Sequence, residues 1–325
     1  MEYVKLGNSG LDVSRICLGG MSFGDTNWIH DWVLDEEESR KIIKRALELG
    51  INFFDTANIY SYGVSEEILG RALRDYANRK DIVIATKVFQ TMREGPNAGG
   101  LSRKAIFQEV EDSLTRLGVD YIDLLIIHRY DYDTPLEETM KALHDLVEMG
   151  KVHYLGASAM YGYQFQKAQY VAEKNGWTKF ISMQNHYNLI YREDERELIP
   201  VCEDQNVSLT PYSPLAAGRL ARAWTADTKR AQSDKTARSK YDLTQQQDTE
   251  IVKRVEEIAH KKGVKMAQVA LAWLLHKPQV AAPVVGVTKM VQLEEAVEAL
   301  KIKLTQEEIA YLEELYLPHK VSGAR

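Results

Sequence analysis

The sequence predicts an α/β protein: a single closed (β/α)8 TIM barrel with an N-terminal β-hairpin and long loops at the C-terminal rim. Three observations carry this. Short apolar runs alternate with amphipathic helical stretches from end to end of the 325-residue chain. Eight of those runs are apolar almost without interruption, as strands are when both faces are covered. The length slightly exceeds the ~250 residues typical of such barrels. An open doubly wound sheet is the structural rival, and it would carry G-x-G-x-x-G after its first strand. That position reads GGMSFG.

In chain order, VKLGNSGLDVSRICLGG reads as a hairpin turning at Asn8, Ser9 and Gly10, then a core strand near 13–19. The helical stretch EEESRKIIKRALELG stops at Gly50, where a C-terminal glycine belongs. Strand INFFDTA, helix EEILGRALRDY and strand DIVIATKV follow. LSRKAIFQEVEDSLTRLG is a helix with Ser102 as N-cap and Gly118 as stop. YIDLLIIH, VHYLGAS, FISMQNHY, VSLTPYSP and AAPVVGV complete the strands, with PLEETMKALHDLVEMG, FQKAQYVAEKNG and EDERELIPVCEDQ as helical connections. LTQEEIAYLEELY is a last helix before the tail LPHKVSGAR. No linker interrupts the pattern, so 1–325 is expected to be one domain. Two connections exceed the usual length, 89–100 and 216–248. Both leave the rim where barrel enzymes keep their active sites.

Composition narrows the function. No run approaches the ~20 apolar residues that cross a membrane, and MEYVKLGNSG lacks the basic-then-apolar order of a signal peptide. Cys17 and Cys202 stand far apart in buried-looking segments, without metal or redox spacing, which suits free thiols in a reducing cytoplasm. A net charge of −6 gives no reason to expect nucleic acid. A small molecule is the expected partner.

Four residues fall at the ends of successive strands or in their loops: Asp55, Tyr60, Lys87 and His128. Three have an ordinary structural explanation: a salt bridge for Asp55, loop packing for Tyr60, a satisfied core position for His128. Together they say more. Adjacent barrel strands place Asp55 beside Lys87, and an unpaired buried carboxylate would be costly. A charged Lys87 would stabilise the phenolate of Tyr60 and bring its pKa from ~10 towards neutrality. Such a phenol can donate a proton to a carbonyl oxygen as charge develops there, while His128 orients that oxygen. The pattern points to an enzyme that reduces carbonyls.

In these residues the chain resembles the aldo-keto reductases, nearest in pattern to their aryl-alcohol dehydrogenase-like and bacterial members. GGMSFG, DTANIY, GVSEEILGRAL, TRLGVDYIDLLIIH and MGKVHYLGAS extend the likeness over nearly the whole sequence. The resemblance implies hydride transfer from a nicotinamide cofactor, with Tyr60 supplying the proton. It places Ser158 and Gln184 on the carboxamide, Tyr212 against the nicotinamide ring, and Ser213, Leu215, Gly218 and Leu220 along the pyrophosphate. Gly286, Thr288 and Lys289 would lie at the 2′-phosphate, where a helix N-terminus attracts anions. That favours NADP(H), with NAD(H) as the alternative.

The chain departs from the family pattern in places. Ala159 follows Ser158 where asparagine is usual, Ala296 follows Glu295 likewise, and Gln292 stands where arginine is common. Glu295 remains as an acceptor for the adenine amino group. The segment 219–240 carries Arg219, Arg222, Lys229, Arg230, Lys235, Arg238 and Lys240 against Asp227 and Asp234, a positive run expected to close over the cofactor. Trp28, Trp32, Phe89, Met92, Arg129 and Tyr130 are the candidate substrate residues, mapped by loop position. Arg129 suits an acidic group on the substrate. Two rival functions stand beside the reductase. One is a cofactor-holding regulatory or redox-sensing subunit, which can keep all four residues. The other is a barrel glycosidase, which needs paired carboxylates where this chain has His128 and Tyr212.

Overall fold

A computed structural model describes residues 1–25, 32–224 and 234–323. Trp28, Asp227, Lys229 and Arg230 lie outside the described residues, and Lys235 is described only by its backbone. The hairpin forms first in the chain: β1 (Tyr3–Lys5) pairs antiparallel with β2 (Asp12–Ser14). Val13 therefore belongs to the hairpin, and the first barrel strand, β3 (Cys17–Gly19), is shorter than the sequence suggests. Between them Arg15 turns the chain under the barrel, donating to the carbonyls of Leu275, Val280 and Ala281.

The barrel is β3, β4 (Phe53–Asp55), β5 (Val83–Val88), β6 (Ile122–Ile127), β7 (Val152–Ser158), β8 (Phe180–Gln184), β9 (Ser208–Leu209) and β10 (Val284–Val285). These eight strands pair in parallel, with β10 beside β3. Backbone bonds from Leu209 N to Gln279 O (2.8 Å), Ala281 N to Leu209 O (2.9 Å) and Val284 N to Pro211 O (2.9 Å) join β9 to the approach of β10 and close the ring. The predicted (β/α)8 barrel is the observed fold.

Around it run α1 (Glu36–Glu48), α2 (Val64–Tyr76), α3 (Arg103–Leu117), α4 (Leu136–Glu148), α5 (Gly162–Asn175) and α6 (Leu198–Asp204). Ser102 caps α3 by accepting from Ala105 N at 3.2 Å, and Gly118 ends it in the left-handed conformation, as the sequence predicts. The 216–248 connection is not a plain loop. It contains α7 (Lys235–Tyr241), capped by Asp234, and the start of α8 (Gln245–Lys262). The run KTARSKY has too few apolar residues to show helical periodicity, so only the cap betrays α7. α9 (Met266–His276), α10 (Met290–Glu298) and α11 (Gln306–Glu313) are the remaining helices among the described residues. Among the described residues no helix is long and apolar enough to cross a membrane.

Strand alternation divides the core. Cys17, Phe53, Val83, Ala85, Leu124 and Ile126 form one cluster with Leu6 and Val13, so the hairpin plugs the floor of the barrel. Phe54, Ile84, Leu125 and Ile127 belong to the larger cluster shared with the helices. The same two-residue period makes Asp55, Lys87 and His128 the next members of the first set on their own strands.

Helices α2 and α3 meet at Gly70, where an added Cβ would lie 2.1 Å from the Leu117 carbonyl oxygen. Backbone cannot yield as a side chain does. Gly70→Ala is expected to lower unfolding stability by about 1–3 kcal/mol, as overpacking does. A urea midpoint equal to that of the parent protein would show that the helices part freely.

Candidate active site

Register turns the inward residues into a staircase. Asp55 is level with Ala85, two residues below Lys87, and Lys87 is level with Ile126, two residues below His128. This is the stagger a closed barrel imposes on its strands. Asp55 and Lys87 are consequently sealed, at 1% and 0% exposure, while Tyr60 and His128 are only half-buried at the mouth.

Lys87 Nζ donates to Asp55 Oδ1 (2.6 Å) and to the Thr56 carbonyl (2.8 Å), and reaches Tyr60 OH at 3.4 Å. Burial alone would drive the ammonium towards neutrality, but Asp55 and Tyr60 override it and raise the Lys87 pKa. The His128 ring stands edge-on to Tyr60, with centroids 6.0 Å apart and planes at 85°. Burial, then Lys87 and Arg129, push the imidazole well below its usual range, so His128 is neutral at pH 7. Its Nδ1 has no hydrogen-bond partner among the described residues.

The expected fall in the Tyr60 pKa is not what the structure gives. Burial raises it, and the pull of Lys87 at 3.4 Å does not compensate. The phenol keeps its proton, which is the form a proton donor requires.

Two further shells hold the staircase. Glu66, fully buried on α2, accepts from Thr86 Oγ1 (2.5 Å) and from Arg116 Nε (2.6 Å). Asn58 donates to Glu109 (2.9 Å) through its side chain and to the Lys87 carbonyl (3.2 Å) through its backbone. Neither shell was among the sequence candidates, although Glu66 lies within GVSEEILGRAL.

Ser158 and Gln184 face each other in register on β7 and β8. Gln184 Nε2 reaches across the barrel to Asp55 Oδ2 (2.9 Å), leaving its carbonyl oxygen for a ligand. Tyr212 follows β9 and stacks on His186 (5.2 Å, 11°), which stacks in turn on Tyr191 (3.9 Å, 15°). The buried Tyr212 hydroxyl finds no partner among the described residues. Lys240 Nζ sits 4.9 Å from the Tyr212 ring centroid. The C-terminal tail crosses here: Ser322 bonds His186 Nδ1 (3.1 Å) and donates from its N–H to Tyr191 OH (2.8 Å), while His319 meets both oxygens of Asp248 at 3.0 Å. His186, Tyr191 and Ser322 escaped the sequence reading, which had Lys240 only as one charge of the positive 219–240 run. NHYNLIY, directly after Gln184, was the available signal for the first two.

The distal cofactor candidates are less ready. Ser213, Leu215, Gly218 and Leu220 do form the turn after β9, with Ser213, Ala216 and Ala217 at φ 53°, 48° and 53°. Arg222 occupies the space a Gly218 side chain would fill. Arg219 pairs with Asp242 and lies over Tyr241, so it is not a free cation awaiting phosphate. Gln292 Oε1 already accepts from the N–H groups of Thr288 (2.9 Å) and Lys289 (3.1 Å), the donors assigned to a 2′-phosphate. Gly286 and Lys289 are exposed beside them, and Glu295 is half-buried.

Of the substrate candidates, Trp32 lies half-buried near the Phe23–Leu34 bridge after β3. Phe89 follows β5 at φ 141° and closes its loop by accepting from Gly100 N (2.7 Å). Met92 is tied within that loop to Ala98. Arg129 donates to the His128 carbonyl (2.8 Å), and Tyr130 packs edge-on to Tyr132 at 5.0 Å.

A family model described as the Aldo/keto reductase family matches residues 15–317. Aldo-keto reductase AMT2 of Alternaria alternata is 47% identical, over 99% of this chain and 93% of its own. Versiconal hemiacetal acetate reductase of Aspergillus parasiticus is 47% identical, over 99% and 98%.

Removing one partner of a buried ion pair costs about 3–5 kcal/mol. Lys87→Met and Asp55→Asn are each expected to lose stability on that scale, and the double variant much less than their sum. Strict additivity in urea unfolding would mean the two residues do not depend on each other.

Proposed function

The chain belongs to the aldo/keto reductase family, and from that premise we propose that it reduces aldehydes or ketones to alcohols with NADPH, Tyr60 delivering the proton. The observation that carries this is Lys87 Nζ placed between Asp55 at 2.6 Å and the Tyr60 hydroxyl at 3.4 Å, with neutral His128 alongside. When bound, the reduced cofactor supplies the hydride. Everything else falls to the protein. Tyr60 and His128 take the carbonyl oxygen between them at the mouth. As negative charge grows on that oxygen, the Tyr60 proton moves onto it. The charge left on the phenolate lies against Lys87, whose ammonium Asp55 keeps protonated, and a group so aimed stabilises charge where it develops.

The nicotinamide end fits the residues present. Ser158 and the Gln184 carbonyl oxygen suit a carboxamide, and the buried Tyr212 hydroxyl, without a hydrogen-bond partner among the described residues, suits a polar ligand atom. The phosphate end fits through Lys289 once Gln292 releases the helix N-terminus, which supports NADP(H) over NAD(H) more weakly. A relative 47% identical is named a reductase of versiconal hemiacetal acetate, which supports carbonyl reduction as the reaction class.

Tyr60→Phe is expected to lower kcat for NADPH-dependent aldehyde reduction by about 100-fold or more, the scale of general acid catalysis. NADPH binding, read by protein fluorescence, should persist. Because burial raises the phenol pKa above its ordinary value near 10, reduction should hold across neutral pH and decline only in alkali, as the donor loses its proton. NADPH binding without turnover of any carbonyl would instead favour a regulatory subunit.

A further inference from the structure

Two cations at the mouth are not used by the proton transfer. Arg129 is fixed by its bond to the His128 carbonyl, so its charge stands at the reacting end of the site. It is close enough to Tyr60, His128, His186 and Tyr212 to shift the titration of all four. Lys240 comes from α7, its ammonium over the Tyr212 ring. The two repel: burial first, then Arg129, bring Lys240 down to about 8, with Asp234 drawing the other way. Among the described residues no carboxylate lies within ion-pair distance of either Arg129 or Lys240. Like charges brought near each other, with neither in a salt bridge among the described residues, are an unfavourable arrangement, and one that an incoming anion relieves.

We propose that Arg129 and Lys240 form a subsite for an anionic group on the substrate, so that the preferred substrates are small aldehydes bearing a carboxylate. The proposal rests on the reductase reading and extends it to substrate class. For Arg129, position favours substrate over cofactor phosphate. Arg129 adjoins the histidine that takes the carbonyl oxygen, whereas the pyrophosphate candidates lie beyond Tyr212, around Gly218. On this proposal a carbonyl held by Tyr60 and His128 would present a carboxylate at its far end to Arg129 and Lys240. Arg129 can grip that carboxylate with two parallel N–H donors, and Lys240 meets it as a point charge. The half-buried setting strengthens the attraction beyond what open water allows.

The test compares 4-carboxybenzaldehyde with 4-methylbenzaldehyde in the parent protein, Arg129→Met and Lys240→Met. The parent is expected to favour the carboxylate in kcat/KM by about 10-fold or more, the scale of one charge-assisted bond. Each substitution should erase most of that preference through KM. Dissociation constants for NADPH are measured on the same variants. If NADPH weakens while the preference stays, the cations serve the cofactor phosphates and the proposal is wrong. An unchanged preference with unchanged NADPH binding overturns it too. A calorimetric titration with 4-(hydroxymethyl)benzoate against benzyl alcohol, with and without NADPH, separates the two readings. Carboxylate-selective binding that needs Arg129 supports the subsite even if no aldehyde is reduced. No such binding defeats the subsite even if reduction is fast.

Discussion

Taking an ammonium and a carboxylate out of water costs several kcal/mol per ion, and contact between them must return it. Lys87 and Asp55 meet at 2.6 Å inside the barrel with almost no exposure, and their remaining valences are filled by the Thr56 carbonyl and the Gln184 amide. Much of the surrounding structure follows from that pairing. Because Asp55 holds Lys87 charged, a positive centre persists where burial alone would have discharged it. Tyr60 and His128 are then arranged around a fixed cation rather than around a titrating one.

That cation has opposite consequences for its two neighbours. It opposes protonation of His128, which burial already disfavours, so the imidazole is neutral. It favours ionisation of Tyr60, yet burial wins and the phenol stays intact. A neutral imidazole beside a protonated phenol can accept a carbonyl oxygen without repelling it. In the proposed reaction the lysine would contribute only once the proton has left, which is the moment a catalyst needs it.

The floor and the mouth of the barrel divide stability from chemistry. Below, hairpin residues Leu6 and Val13 close an apolar cluster with Phe53, Val83 and Leu124. Above, the turns at the strand ends hold residues other than glycine at positive φ, among them Ser61, Tyr62, Phe89, Ala159 and Ser213. Backbone in that region stores strain, and such strain gathers where a ligand is handled. The tail anchored by Ser322 and His319 adds a cover to the same rim, over the Tyr191, His186 and Tyr212 rings.

The eight strands, most of the helices and the meeting of Asp55, Tyr60, Lys87 and His128 at one rim were legible in the sequence, because each depends on local periodicity or on a residue's distance from a strand end. Alternation with period two even ordains which strand residues point inward. The boundary between β2 and β3 was not legible, since Val13 reads equally well as hairpin or barrel strand until Val4 is found opposite it. α7 was hidden for want of an apolar stripe. Protonation was beyond the sequence altogether: Tyr60 moves up rather than down because desolvation depends on how many atoms surround the phenol, not on which residue follows a strand. The same holds for Gln292 occupying the Thr288 and Lys289 amides, for Arg219 turned to Asp242, and for Lys240 brought over Tyr212. Those are contacts between segments far apart in the chain or choices among side-chain directions, and only the closed barrel, by fixing stagger and distance, decides them.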